Sequence, residues 1–149
     1  MHGSKQAGGH DLYAIVKRDE NYYEDEELVY RITDKDWQIM IAPHSTVKIH
    51  TGLAMEIPEG YFGAIMPRSG LATKEGLRLA NCIGVIDSDY RGEIIVAIHN
   101  DTNDVKFIKH GDRIAQLSLI KHEEIEFVEV DSLSETERGS GGFGSTGKN

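Results

Sequence analysis

Apolar, β-branched residues in this chain come in short runs, each closed by Gly, Asp, Asn or a cluster of charges. Residues 47–57 (VKIHTGLAMEI) alternate in part and lead into the turn signal Pro58-Glu59-Gly60, after which 61–66 form a second run. Residues 94–99 (IIVAIH), 105–108, 114–120 and 125–130 are the others. Many short strands at this spacing predict a sandwich or barrel. Helical signals are weak. The best is 69–75, a short turn of helix with Ser69 as its expected cap. Pro43, Pro58 and Pro67 each fit a turn or a strand edge.

At 149 residues the chain is long enough for one domain with a real core. Its single cysteine, Cys82, rules out an intramolecular disulfide and fits a reducing compartment. No apolar run is long enough to span a membrane, and residues 1–11 lack the apolar core of a signal peptide. The expected location is therefore the cytosol, or the nucleus in a eukaryotic host. A formal net charge of −9 argues against gripping a nucleic-acid polymer, which takes a basic face. A small phosphorylated ligand needs only a few N–H groups and arginines, so it stays open.

Five stretches concentrate glycine and functional polar groups. In Gly8-Gly9-His10-Asp11-Leu12, paired glycines before a strand suggest a sharp turn or a close approach. Asp11 suits either a metal-bound water or the cap of a turn. Arg68-Ser69-Gly70-Leu71-Ala72 opens the short helix. It offers free N–H groups, a hydroxyl and a permanent charge to an anion, or else is an ordinary helix start. In residues 81–92 (NCIGVIDSDYRG), Gly84 and Gly92 bracket an apolar pair, acids and Tyr90. A hairpin here would present main-chain groups to a planar base, Tyr90 a flat face to a sugar, and Asp87 a base to a water. A solvated acidic turn is the plainer reading of that stretch alone. Gly111-Asp112 reads as a turn before a strand. Gln116 on that strand is either a phosphate donor or an exposed polar residue. Residues 138–147 (RGSGGFGSTG) have the composition of a phosphate cradle without the lysine of a P-loop. Most such tails are linkers, but a lone Phe143 is of use only if it stacks on something.

The negative evidence narrows the chemistry. The histidines lack metal-ligand spacing, Cys82 has no partner for zinc, and no nucleophile elbow is present. Attack by an activated water is favoured over covalent catalysis.

In this order, from Gly8 to Gly147, the five stretches resemble the five motifs of the trimeric dUTPase family. The stretches 68–72, 84–92 and 138–147 match most closely. The resemblance implies an all-β, jelly-roll-like β-barrel (β-clip) over residues 1–131, with a mobile Gly-rich C-terminal arm over 132–149. It implies a dUTP diphosphatase, a hydrolase of nucleotide metabolism that makes dUMP and pyrophosphate, keeps uracil out of DNA and supplies dUMP for dTMP synthesis. It further implies a homotrimer with sites shared between subunits.

Roles then carry over by position. Asp87 would deprotonate the attacking water. Asn81 and Gly84 would read uracil, Tyr90 would pack on deoxyribose, and Phe143 would stack over the base. Arg68, Ser69, Gly70 and Gln116 would serve the phosphates, Arg68 either directly or through an ion pair that shapes the site. Arg138, Gly144, Ser145 and Thr146 would hold the γ-phosphate. Mg²⁺ would be held mainly by the substrate, with Asp11 reaching it through water.

The chain departs from the pattern in three places. Gly8 stands where the family usually has alanine. Only seven residues precede it, so the family's first strand is expected to be absent or replaced. The acidic segment 17–36 reads as an insertion, left open as a replacement strand, a surface decoration or a partner site. A dCTP deaminase-type or bifunctional relative would carry a second Ser and an Arg near 68–72, where this chain has Gly70 and Lys74. An inactive nucleotide-binding module would not be expected to keep Asp87, Arg138 and Phe143.

Overall fold

The computed structural model describes residues 7–16, 32–33 and 38–142. Ten strands and one helix follow one another as β1 (His10–Tyr13), β2 (Ile32–Thr33), β3 (Gln38–Ile41), β4 (Thr46–His50), β5 (Tyr61–Pro67), α1 (Ser69–Glu75), β6 (Leu77–Leu79), β7 (Gly84–Ile86), β8 (Ile95–Asn100), β9 (Lys106–Lys109) and β10 (Arg113–Lys121). They form three antiparallel sheets with orders β1-β10-β5-β7, β2-β3-β9 and β4-β8-β6. This is the expected all-β, jelly-roll-like architecture.

The core is built by the period-2 alternation of each strand. In β4, Val47 and Ile49 point inward while Lys48 faces water. They meet Val96 and Ile98 of β8, Leu77 and Leu79 of β6, Ile39 and Ile41 of β3, and Leu12 of β1. Each such fully buried aliphatic side chain stabilises the fold by roughly 1.5–3 kcal/mol. Among the described residues Asp11, Thr51 and Asn100 are the buried polar side chains. Asn100 is fully buried, and its amide donates to the carbonyls of Ile41, Ala42 and Asp104 while its oxygen accepts from Thr102. It knots the end of β8 to the loop that follows.

Several expected elements change on folding. The run 47–57 keeps strand pairing only to His50, because Gly52 takes φ +68° and turns the chain away. Helix α1 has the expected bounds, but Arg68 occupies the N-cap with no side-chain cap bond, so Ser69 is the first helical residue and not the cap. The 81–92 stretch is not a self-contained hairpin, since β7 pairs with β5. Residues 125–130, expected as a strand, pair with nothing among the described residues and are exposed. A strand exists only with a neighbour to bond, and this part of the chain meets none among the described residues. Of the acidic segment 17–36, only Ile32–Thr33 is described, and it adds a short strand to the edge of β3.

Candidate active site

The register of the first sheet sets Asp11 opposite Gln116, and Gln116 opposite Met66 near the end of β5. Arg68 follows β5 directly, so three of the expected site residues converge. The Asp11 carboxylate is almost wholly buried beneath them. Arg68 Nε lies 3.3 Å and Gln116 Nε2 3.4 Å from its Oδ1. Arg113 Nη1, a cation the sequence reading had not singled out, lies 3.2 Å from Oδ2. Arg68 also donates through Nη1 to the Arg113 carbonyl at 3.2 Å, which ties β10 to the start of α1.

Burial alone would push the Asp11 carboxyl up. The Arg113 hydrogen bond, the charges of Arg68 and Arg113 and the Gln116 amide outweigh it, and hold the group below the usual carboxylate range. Asp11 is thus a fixed anion, and it keeps two guanidiniums and an amide pointed at one spot. Ser69 and Gly70 continue from Arg68 in the exposed first turn of α1.

The second group of residues lies elsewhere on the same sheet. Gly84 sits where a Cβ would come 3.1 Å from the Cβ of Ile65 and 3.5 Å from the Asn81 amide nitrogen. A side chain here would press on Ile65, so glycine suits a backbone packed this close to β5. Past β7 the chain turns at Asp87, whose carbonyl accepts the Tyr90 N–H at 3.2 Å. The exposed Tyr90 donates its hydroxyl to the Glu93 carbonyl at 2.9 Å, and its ring covers Gly92, where any side chain would overlap it. Asp87 and Asn81 are exposed.

The two groups are not brought together. Ile86 stands opposite Gly63, five residues before Arg68, which at roughly 3.3 Å per residue is about 17 Å of strand. Asp87 lies further still from the Asp11 cluster. Arg138 is exposed and bonded within its own turn, Nε donating to the Gly141 carbonyl at 2.9 Å. Phe143, Gly144, Ser145 and Thr146 lie outside the described residues.

No group of three or more His, Cys, Asp or Glu side chains that would cage a metal occurs among the described residues. No described helix is long and apolar enough to cross a membrane.

A family model described as dUTPase matches residues 34–147. The chain belongs to the dUTPase family. Among curated relatives, a deoxyuridine 5'-triphosphate nucleotidohydrolase of Finegoldia magna is 52% identical over 109 residues, covering 73% of this chain and 76% of the relative. One from Nautilia profundicola is 45% identical over 145 residues, 97% of this chain and 87% of the relative. Among solved structures, a mutant dUTPase of Staphylococcus bacteriophage 80alpha with dUpNHpp superposes with TM-score 0.76 at 25% identity, covering 99% of this chain and 90% of that one. The dUTPase of Streptococcus mutans, at 22% identity and TM-score 0.68 over 85% of this chain and 88% of that one, shares the fold.

Proposed function

We propose that the chain hydrolyses dUTP to dUMP and pyrophosphate as a homotrimer. In this reading Asp87 of one copy serves the phosphate cluster around Asp11 of another. The observation that carries it is the separation along β5. A carboxylate able to activate water and a cation cluster able to hold phosphates stand at opposite ends of one strand. A site that uses both has to be completed by a second copy. The exposed, apolar residues 125–130 support the same conclusion, since Phe127 is 90% exposed and Ile125 74%. An arm of this kind gains by lying on a neighbour. The names of the relatives support the substrate.

The chemistry follows from the parts. Arg68 and Gln116, now facing Asp11, have N–H groups for phosphate oxygens, and Ser69 and Gly70 add a hydroxyl and backbone donors. The main chain at Gly84 and the Asn81 amide read the uracil edge. A close fit of that main chain to the base would exclude a 5-methyl group. Tyr90, fixed over Gly92, packs on the deoxyribose and excludes a 2′-hydroxyl. Asp87 takes a proton from the water whose oxygen bonds to the α-phosphorus, and the bond to the bridging oxygen breaks to release pyrophosphate. From residue 132 onward the arm of a third copy closes the site. Arg138, Gly144, Ser145 and Thr146 lie on the γ-phosphate and Phe143 over the base.

The donor set fits Mg²⁺ carried by the triphosphate, because one fixed carboxylate, Asp11, stands beside the proposed phosphate-binding groups and no cage of His, Cys, Asp or Glu does among the described residues. Bound there, the ion would offset charge on the departing pyrophosphate. The product supplies thymidylate synthesis and the reaction keeps uracil out of DNA.

Pyrophosphate release from dUTP, with dCTP and dTTP in parallel, tests the reading. Asp87→Asn is expected to lower kcat by at least about 100-fold, the low end for loss of a general base. The variant should keep the mass of three chains in light scattering. A fully active monomer, or an Asp87→Asn protein as fast as its parent, overturns the proposal.

A further inference from the structure

Strands β4 and β8 pair as far as His50 and Ile95, and the same register carried two residues on sets Gly52 opposite Glu93. The chain leaves the sheet there, because Gly52 takes φ +68°. The side chain of Glu93 makes the pairing that the ladder no longer can. Its Oε1 accepts the Gly52 N–H at 2.7 Å, and its Oε2 lies 2.8 Å from His50 Nδ1. An ionised carboxylate only accepts, so the ring nitrogen supplies the hydrogen of that second bond. The two side chains keep 16% and 29% exposure, so the pair is sheltered from water.

Glu93 reaches the proposed site through its main chain. Its carbonyl accepts the Tyr90 hydroxyl at 2.9 Å. The N–H of the same peptide, that of Ile94, donates to the Leu53 carbonyl at 2.8 Å. The plane that holds Tyr90 is therefore aimed by Leu53, one residue past the glycine turn. Glycine leaves such a turn free to rotate unless something grips it. The Glu93 carboxylate grips it from the facing segment, and the buried Thr51 hydroxyl adds a bond to the Ile94 carbonyl at 2.6 Å. Arg91 does a different job. Its Nη1 donates to the Ser88 and Tyr90 carbonyls at 2.7 and 3.1 Å, which stiffens the turn from within and does not fix where it stands.

We propose that Glu93 is a positioning residue for Tyr90, and that its grip on His50 and Gly52 sets how well the site tells a deoxyribose from a ribose. The inference rests on the reading of Tyr90 as the group that packs on the sugar, and deepens it. The ring excludes a 2′-hydroxyl only while it stands close. Without the carboxylate the Gly52 turn loosens, the peptide between Glu93 and Ile94 tilts, and the ring backs away from the sugar. The loss then falls on the choice between dUTP and UTP, which is a ratio of two kcat/KM values.

The test measures kcat/KM for dUTP and for UTP on the full-length parent, Tyr90→Ala, Glu93→Ala and Glu93→Gln, below the melting temperature of all four. Glu93→Ala is expected to lower the dUTP-to-UTP ratio about tenfold. Glu93→Gln keeps an acceptor for the Gly52 N–H and offers His50 an amide to accept from, so it should stay near the parent. Partial unfolding lowers both rates alike and leaves the ratio unmoved. A Glu93→Ala ratio equal to the parent's, with or without a loss of stability, overturns the positioning alone, as does a Gln variant as poor as the Ala variant. A parent that cleaves the two nucleotides equally well, or a Tyr90→Ala protein with the parent's ratio, overturns the Tyr90 reading and the inference with it. Tyr90→Phe, which drops the hydroxyl bond and keeps the ring, is then combined with Glu93→Ala. The double variant should choose no worse than the poorer single one. Losses that multiply would show two separate roles, and would overturn the proposal.

Discussion

Replacing Asp11 with alanine strands two guanidiniums that now share one carboxylate. The Asp11 side chain is 7% exposed, but Arg68 and Arg113 retain 25% and 50% exposure. Breaking a fully buried pair from one side costs roughly 3–5 kcal/mol, and an exposed pair is worth about 0–1. Both cations here can turn to water, so the loss falls between these limits, at about 2 kcal/mol near pH 7. For a chain of 149 residues, at roughly 2–4 °C per kcal/mol, the Tm should drop by about 4–8 °C. The assay is calorimetry at one protein concentration, without nucleotide or metal, on parent and Asp11→Ala across pH.

The sign of the pH dependence is fixed by the direction of the shift. A carboxyl held below its ordinary value of 3.8 stabilises the fold fully above that pH. The contribution fades as pH falls through the lower folded value. The gap between the two proteins should therefore be constant from neutral pH down to about pH 5 and shrink below about pH 4. An Asp11→Ala protein as stable as its parent at pH 7, or a gap that widens on acidification, would refute the argument.

Gly76 closes α1 at φ +67°, and an added methyl would overlap Thr102, whose hydroxyl is already committed to Asn100 and Asp104. Gly76→Ala should cost about 2 kcal/mol or more in urea melts. Asn100→Ala removes the amide bonds to the Ile41, Ala42 and Asp104 carbonyls and the acceptor of the Thr102 N–H, leaves a cavity in a fully buried place, and should cost about 2–4 kcal/mol by the same measurement. Ending the chain at Asp131 removes several proposed phosphate donors, each worth roughly 3 kcal/mol of barrier. Steady-state pyrophosphate release should fall at least about 100-fold while circular dichroism stays that of the parent.

Where alternation was long and clean, the folded elements follow it. β5 and β10 fall within a residue or so of the runs 61–66 and 114–120. β6 is three residues, too short for any period to show. In β3 the outward Met40 hides an alternation that burial makes plain. Residues 125–130 have a strand's composition and no strand, because pairing belongs to two segments and no second one lies beside them among the described residues. The site divides in the same way. Asp11 and Gln116 were legible as types, and their meeting is set by strand register. Arg113 was not legible, because β1 shifts register between Leu12 and Tyr13. Such an irregularity re-aims side chains in a way that spacing cannot foretell. Arg68 suits a phosphate or an ion pair by type alone, and its Nε lies 3.3 Å from Asp11.

The placement of Asp87 and the Asp11 cluster at the two ends of β5 bears on inheritance. In the proposed trimer, a lesion at one end spoils a different pocket from a lesion at the other. Two defective alleles, one damaged at each end, would then produce mixed assemblies in which some pockets are built entirely from sound halves. A cell carrying both would retain activity that neither allele supplies alone.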